Sequence, residues 1–320
     1  AGSGLVVALP ARAADANGWF LGAGGGVRVQ QLPDAALLND ADSGGALATL
    51  DTTVVMGGGG VTLGHLFGQQ LAPQLWGGRA HLAASAYYYD GSAEDDLLTR
   101  AGNGFMIDFN GDPIQLITPA RIAVDTDYSD WGLSLRGGLD FDLGGGLLLT
   151  PSLALFGGQT RLSQDMTIEE MAGDSLPNYF DSMSQDVDNT RLGAALGLGA
   201  SYGFAEGWSL RAGAQVGLTY NISQGQATLC NGNESFAAAC DGGFVPPRAD
   251  EVGDTRFGVQ VGGGLGLAYD LGFASVALTL EGSYDSYVPG FDWGNRPGDR
   301  PGSAADGPFA YGGGPRGAQP

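Results

Sequence analysis

Apolar and polar residues alternate one for one along much of this chain. Leu192, Ala194, Leu196, Leu198, Ala200, Tyr202 and Phe204 share one parity, and Gly193, Ala195, Gly197, Gly199, Ser201 and Gly203 share the other. A period of two belongs to a strand, whose successive side chains point to opposite faces. The small-xxx-small spacing of Gly193 and Gly197 also suits helix packing, but the period decides for a strand. From Trp208 the apolar parity continues through Leu210, Ala212, Ala214, Val216, Leu218, Tyr220 and Ile222. From Phe257 it holds Val259, Val261, Leu265, Leu267 and Tyr269, and from Trp131 it holds Leu133, Leu135, Leu139, Phe141 and Leu143.

Nine such segments are predicted, at about 18–31, 51–67, 74–90, 122–143, 146–161, 190–204, 208–223, 255–271 and 273–287. Short turns separate some of them, at Gly68–Pro73, Gly144–Gly145, Ala205–Gly207 and near Gly272. Long polar loops are expected at about 32–50, 91–121, 162–189 and 224–254. Aromatic residues mark the ends of several strands. Trp76 and Tyr88, Trp208 and Tyr220, and Phe257 and Tyr269 are each twelve residues apart. At ~3.3 Å per residue and a tilt of about 40°, that interval rises roughly 30 Å, the thickness of a membrane's apolar band. A soluble sandwich would turn its apolar parity inward and would need no aromatics at both ends of its strands.

Composition narrows the function. The 320 residues include 58 Gly and no Lys, and their mean hydropathy is near zero although 43% are apolar. The glycines follow no Gly-X-Y period, which excludes collagen. Without Lys there is no phosphate-cradling P-loop Lys and no Schiff base. A net charge of −21 argues against a nucleic-acid partner and against a polybasic membrane anchor. After the N-terminal residues, no run of about 18 or more apolar residues suggests a transmembrane helix. Leu5-Val6-Val7-Ala8-Leu9 followed by Ala11-Arg12-Ala13 reads as a signal-peptide remnant over residues 1–13, with the mature chain from about Ala14. Secretion makes a disulfide the expected state of Cys230 and Cys240, which have nine residues of polar loop between them.

These membrane-length alternating strands, with short turns on one side and long loops on the other, resemble bacterial outer-membrane β-barrel proteins. That broad class holds porin-like channels, surface antigens and autotransporter translocator domains, and the resemblance covers residues 18 to about 287. It implies an all-β chain: a transmembrane antiparallel up-and-down β-barrel in a Gram-negative outer membrane. Nine strands are visible, and ten are expected when complete, because bacterial single-chain barrels have even strand numbers. Phe309-Ala310-Tyr311-Gly312 is the candidate tenth strand. The barrel domain spans 14–293, followed by a Gly/Pro-rich tail over 294–320. The chain departs from the class at its end, Arg316-Gly317-Ala318-Gln319-Pro320, where a terminal Phe or Trp is usual.

In such a barrel the polar parity faces the lumen. It carries Arg28, Arg79, Arg136, Arg191, Arg211 and Arg256, with Asp140, Asp142, Asp270 and Glu281 as partners. The set reads either as a stabilising ion-pair network or as a selectivity-setting pore lining. Gly at 197, 199, 262, 264 and 266 would leave gaps beside it. The aromatic girdles comprise Trp19, Trp76, Tyr88, Trp131, Phe141, Trp208, Tyr220, Phe257 and Tyr269. His81 shares lumen parity with Arg79 and Ser85, and no Asp or Ser is evident in the sequence as its catalytic partner, so no enzyme is expected. His65 falls near a short turn and reads as an interface residue.

Asp108-Phe109-Asn110-Gly111-Asp112 begins like a calcium loop, but Pro119 stands where the twelfth-position Glu belongs. No cofactor is expected beyond divalent cations held loosely at the outer loops. The expected partners are outer-membrane lipid and lipopolysaccharide, with an extracellular ligand or host surface beyond them. Asp165, Glu169, Glu170, Asp174, Asp181, Asp186 and Asp188 place a dense negative charge in one predicted loop. The leading expectation is a structural or surface-interaction role, and the alternative is a narrow porin-like passive channel for small solutes.

Overall fold

The computed structural model describes residues 18–32, 35–40, 46–50, 52–67, 78–98, 104–107, 113–116, 120–170, 179–233, 248–271, 275–287, 291–292 and 310–311. The strands in chain order begin with β1 (Gly18–Gln31), β2 (Ala35–Asp40), β3 (Ala46–Leu50), β4 (Thr53–Leu66) and β5 (Arg79–Leu98). Next come β6 (Gly104–Ile107), β7 (Pro113–Leu116), β8 (Ala120–Asp142), β9 (Leu147–Glu170) and β10 (Tyr179–Ala205). The last are β11 (Trp208–Asn233), β12 (Arg248–Asp270), β13 (Ser275–Asp285), β14 (Phe291–Asp292) and β15 (Ala310–Tyr311). Among the described residues there are no helices.

Nine strands make one antiparallel up-and-down sheet, in the order β1-β4-β5-β8-β9-β10-β11-β12-β13. It is curled into a half-barrel. Arg28 of β1 reaches across β4 and β5 to Asp130 of β8, and Arg136 of β8 reaches across β9 and β10 to Gln215 of β11. Short turns gather at one end, called here the turn end. Gly144, Gly145 and Gly146 carry β8 into β9, and Glu206-Gly207 carries β10 into β11. All four of these glycines have φ between 64° and 83°, a region that strongly favours Gly. The opposite end, which carries the longer connections, is the far end.

The order of the nine strands matches the alternation read from sequence, but three predicted loops are largely strand. The β5–β8 pair extends to Leu98 and back from Arg121, the β9–β10 pair to Glu169 and back from Phe180, and the β11–β12 pair to Leu229 and back from Arg248. The segment 32–50, also read as loop, contains β2 and β3, which join β6 and β7 in a separate four-stranded sheet. The candidate tenth strand is a second correction. Ala310–Tyr311 pairs with Phe291–Asp292 in a separate two-stranded sheet. Among the described residues β1 and β13 remain the edges of the main sheet, and both run from the turn end to the far end.

Burial explains the misread loops. Near the turn end the convex face is apolar: Leu133 and Leu135 on β8, Leu153 and Leu155 on β9, and Leu192, Leu196 and Leu198 on β10 are exposed. Their neighbours on the concave side include Ser134, Arg136, Ser152 and Gly197. Beyond a hydrogen-bonded row through Trp131, Gln159 and Thr190, the pattern turns inside out. There Ile122, Val124, Tyr128, Leu162, Met166 and Val187 are buried, while Asp125, Asp127, Arg161, Asp165, Asp186 and Asp188 are exposed. β5 follows the same rule, with Leu82 and Tyr88 exposed below and Asp90, Ser92 and Glu94 exposed above. In β11 the outward residues pass from Leu218 and Tyr220 to Gln224 and Gln226. A strand keeps its parity while its chemistry swaps faces, so a search for one apolar parity loses the strand at the crossing.

Several concave glycines are covered by their neighbours. Phe20 lies over Gly64, Tyr87 over Gly132, His81 over Gly138 and Phe156 over Gly193, each pair directly opposite across adjacent strands. A Cβ on Gly64 would stand 2.1 Å from the Phe20 ring. The gaps expected at Gly197, Gly264 and Gly266 are likewise narrowed by Ser152, Glu281 and Thr279, which directly oppose them. Rings laid over cross-strand glycines pin the register of a sheet.

Candidate functional site

The concave face carries its strongest chemistry where apolar parity changes sides. Asp130 has no exposed surface and accepts from two guanidinium groups, Arg28 of β1 and Arg191 of β10. The Arg191 contact is 2.6 Å, and Arg191 also donates to the Tyr87 hydroxyl, which itself donates to Asp130 at 3.3 Å. Gln30 accepts from Arg28 at 3.5 Å. A fully buried carboxylate persists only when paired, and here two cations from distant strands supply that pairing. The cluster therefore ties β1, β5, β8 and β10 together across the curl.

Asp130 is the residue that sequence reasoning missed. Asp130 falls inside the predicted strand 122–143, but the alternating run was begun one residue later, at Trp131, so this acid on the parity of Ser134 and Arg136 was left out of the lumen set. Extending that parity by two steps would have found it.

Above this layer the interior is packed. Val54, Met56, Ile122, Val124, Tyr128, Leu162, Met166 and Val187 are buried there. A ladder of amides runs among them: Gln164 donates to Thr126 at 3.0 Å, Gln185 donates to Gln164, and Asn189 donates to Asn221 at 3.3 Å. Ser223 donates to Asn189 at 2.9 Å and meets the Tyr287 hydroxyl at 2.8 Å. The Tyr128 phenol, buried in this packing, is pushed up to about 12, mainly by its removal from water, with the Asp130 charge adding to it.

The other expected charges fall as follows. Arg79, Arg136, Arg211, Arg256, Asp140, Asp270 and Glu281 have concave-face parity. Arg136 donates to Gln215 at 3.0 Å. Asp140, expected to partner an Arg, faces His81 Nδ1 at 3.3 Å and accepts from Thr150 at 2.7 Å. The sequence had given His81 no acid partner. The pair sits near the turn end, and Arg79 stands directly opposite Asp140 in the register. Asp142 is exposed and accepts from the Gly144 amide at 2.8 Å, a contact that fixes the β8–β9 turn.

Aromatic side chains mark two levels. At the turn end Trp19 meets His65 edge-on at 5.0 Å, His65 meets Phe67 at 4.8 Å, and Trp208 meets Tyr269 at 4.8 Å. Phe141 lies at this level too, near the end of β8. At the crossing level Tyr220 meets Phe257 at 5.2 Å, and Tyr88 stands opposite Trp131. Trp76 lies outside the described residues. Cys230 falls on β11 opposite Ser182, where the sequence suggested the foot of a loop, and Cys240 lies outside the described residues, as does any bridge between them. Asp108–Asp112 also lies outside them. Among the described residues no group of three or more His, Cys, Asp or Glu converges to hold a metal ion.

On the convex face beyond the crossing, Glu94, Asp125 and Asp165 stand directly opposite one another on three adjacent strands. Like charges so placed repel. Partial burial, then Asp186, Asp125 and Asp127, push the Asp165 carboxyl above the usual carboxylate range. A raised folded value favours the protonated group, so Asp165 adds stability below its ordinary range near about 3.9. That contribution is lost as pH rises through the raised value. Asp165→Asn is therefore expected to raise the Tm at neutral pH, by an effect under about 1 kcal/mol because the site is largely exposed. Near about pH 3, where the wild-type acid is itself protonated, the two proteins should melt together. A lower Tm for the variant at neutral pH would contradict this. By contrast, the hydrogen bonds from Arg121 to Asp96, at 2.7 and 3.0 Å, hold the Asp96 carboxyl below the usual range.

Comparisons of the chain with protein families, with curated proteins and with solved structures return no match.

Proposed function

We propose that this chain is an integral β-barrel protein of a Gram-negative outer membrane, sealed inside, with a structural or surface-interaction role. One observation carries the reading: on five adjacent strands the outward residues change from apolar to polar near one aromatic level. Below that level the convex face is apolar and open. Phe257, Leu278 and Leu280 are each about four-fifths exposed, and an apolar belt of this extent is not left in water. Above it, polar outside and apolar inside is the pattern of a chain surrounded by water. A bilayer edge at the Tyr88–Trp131 and Tyr220–Phe257 level accounts for both halves. The partners are then lipid and lipopolysaccharide along the belt. The far half projects beyond the leaflet, where an extracellular ligand or host surface would meet it and where its acids would attract divalent cations diffusely.

A narrow passive channel is the second reading. The stripes Gly22, Gly24, Gly26 and Gly58, Gly60 on the concave side of β1 and β4 favour it by keeping side chains out of the interior. A solute entering there would still meet the Asp130 cluster and the apolar packing above it. No catalytic role enters the proposal. His81 and Asp140 join β5 to β8 near the turn end, and the hydroxyl beside them, on Thr150, is committed to Asp140.

Planar-bilayer recording tests the choice. The purified protein should conduct little. Shaving the packed layer with Met56→Ala, Ile122→Ala and Tyr128→Ala together should open a measurable current, while Arg211→Ala alone should not. A large, steady conductance in the unmodified protein would decide for the channel.

A further inference from the structure

A polar cleft on the convex face has no part in the sealing of the interior. Asp90, Ser129 and Arg161 stand opposite one another in one row across β5, β8 and β9, and Ser92, Asp127 and Ser163 stand opposite one another in the next row. These six, with the backbone of Gly91 and Tyr128, line a cleft of about 470 Å³. It forms because the three serines are short, while the two acids and Arg161 stand up around them. The volume lies within the range of roughly 300–1,000 Å³ typical of small-molecule sites.

The chemistry of the lining selects a ligand class. Carboxylates only accept, guanidinium only donates, and hydroxyls do both. Asp90 and Asp127 outnumber Arg161, which already has Asp186 at 3.7 Å, and the Glu94–Asp125–Asp165 row lies just beyond. A phosphate or carboxylate group would be repelled, and an apolar group would strip water from the acids without replacing it. A ligand rich in hydroxyl groups and free of negative charge satisfies both. One step towards the turn end on the same face, Tyr88 and Trp131 are exposed and directly opposite, and they offer flat surfaces to the C–H faces of a sugar ring.

We propose that this cleft binds the uncharged sugar headgroup of a glycolipid lying beside the protein. Sugar hydroxyls donate to Asp90 and Asp127 and accept from Arg161, one ring face rests on Tyr88 and Trp131, and the acyl chains descend past Leu133, Leu135, Leu153 and Leu155. The proposal rests on the membrane placement above, since that placement sets the aromatic row at headgroup level. It commits to a lipid-anchored sugar because anchoring in the same leaflet raises the local concentration of a weakly held headgroup.

The test uses the full chain in nanodiscs of phosphatidylcholine doped with a monoglucosyl diacylglycerol. Native mass spectrometry reads the lipid retained after the disc is stripped. One glucolipid should be kept, with retention falling at least about tenfold in the Asp90→Asn/Asp127→Asn double variant and in Ser129→Phe, which fills the cleft. Flotation with vesicles, read separately, should be the same for the wild type and both variants. No retention by a wild type that floats overturns the cleft alone, whereas a wild type that does not float overturns the membrane placement and the cleft with it. Equal retention of phosphatidylglycerol, or equal competition by soluble methyl glucoside, overturns the glycolipid as the occupant.

Discussion

Asp130→Ala should destabilise the protein by about 3–5 kcal/mol, the usual result of removing one partner from a buried ion cluster. The variant leaves Arg28 and Arg191 facing each other with nothing between them, and both are mostly buried. Each arose on a different strand, so their repulsion acts directly against the curl that brings β1 and β10 to β8. Thermal unfolding in detergent, followed by the mobility shift of folded against unfolded protein on unheated gels, reads the loss. The triple replacement Asp130→Leu, Arg28→Met and Arg191→Met should recover most of it, because apolar groups of similar volume can replace a buried ion cluster with little loss. An Asp130→Ala protein that melts within about 0.5 kcal/mol of wild type would show that the cluster is not what holds the curl.

Arginine placed along one strand pair should divide at the aromatic level. Leu196→Arg and Leu218→Arg put a charge on the apolar belt, where lipid would make it cost about 2–4 kcal/mol. Assembly into membranes should fail or slow in both. Gln215→Arg, on the concave face at the same depth, should be milder. Thr190→Arg shares the outward parity of Leu196 but lies at the crossing row, and Gln224→Arg lies beyond it. Both should assemble normally. If all five variants assemble alike, neither the face assignment nor the crossing level survives. If Thr190→Arg and Gln224→Arg fail along with Leu196→Arg, the belt extends further than the aromatics suggest.

The half of the sheet near the turn end was legible because there each strand keeps one apolar parity over seven or more residues, as Trp208 to Tyr220 does. The tight turns were legible too, since Gly144-Gly145 and Glu206-Gly207 interrupt otherwise unbroken alternation. The far half was hidden by its own regularity. Leu162 and Met166 alternate with Arg161 and Asp165 as cleanly as any stretch of the chain, but on the opposite face from Leu153 and Leu155. The central acid, Asp130, stood within a predicted strand but just before the alternating run at Trp131, and so was not counted among the lumen charges. Of the six arginines singled out by parity, Arg28 and Arg191 converge on one carboxylate, which no spacing in the sequence reveals because 102 and 61 residues separate them from it. Pairing across a curl depends on how tightly the sheet bends, and alternation carries no information about that.

The odd number of strands has a directional consequence. Among the described residues β1 and β13 are the two margins and both point from the turn end to the far end, so each presents its edge in the same sense. If these two margins met, they would form a parallel ladder, the slightly weaker of the two pairings. Two copies standing upright in one bilayer meet the same restriction, because rotation about the membrane normal leaves every arrow pointing the same way. Only a segment travelling from the far end back to the turn end can continue the antiparallel weave along both margins at once. The margins are thus polarised: they accept a partner by its heading before they test its side chains.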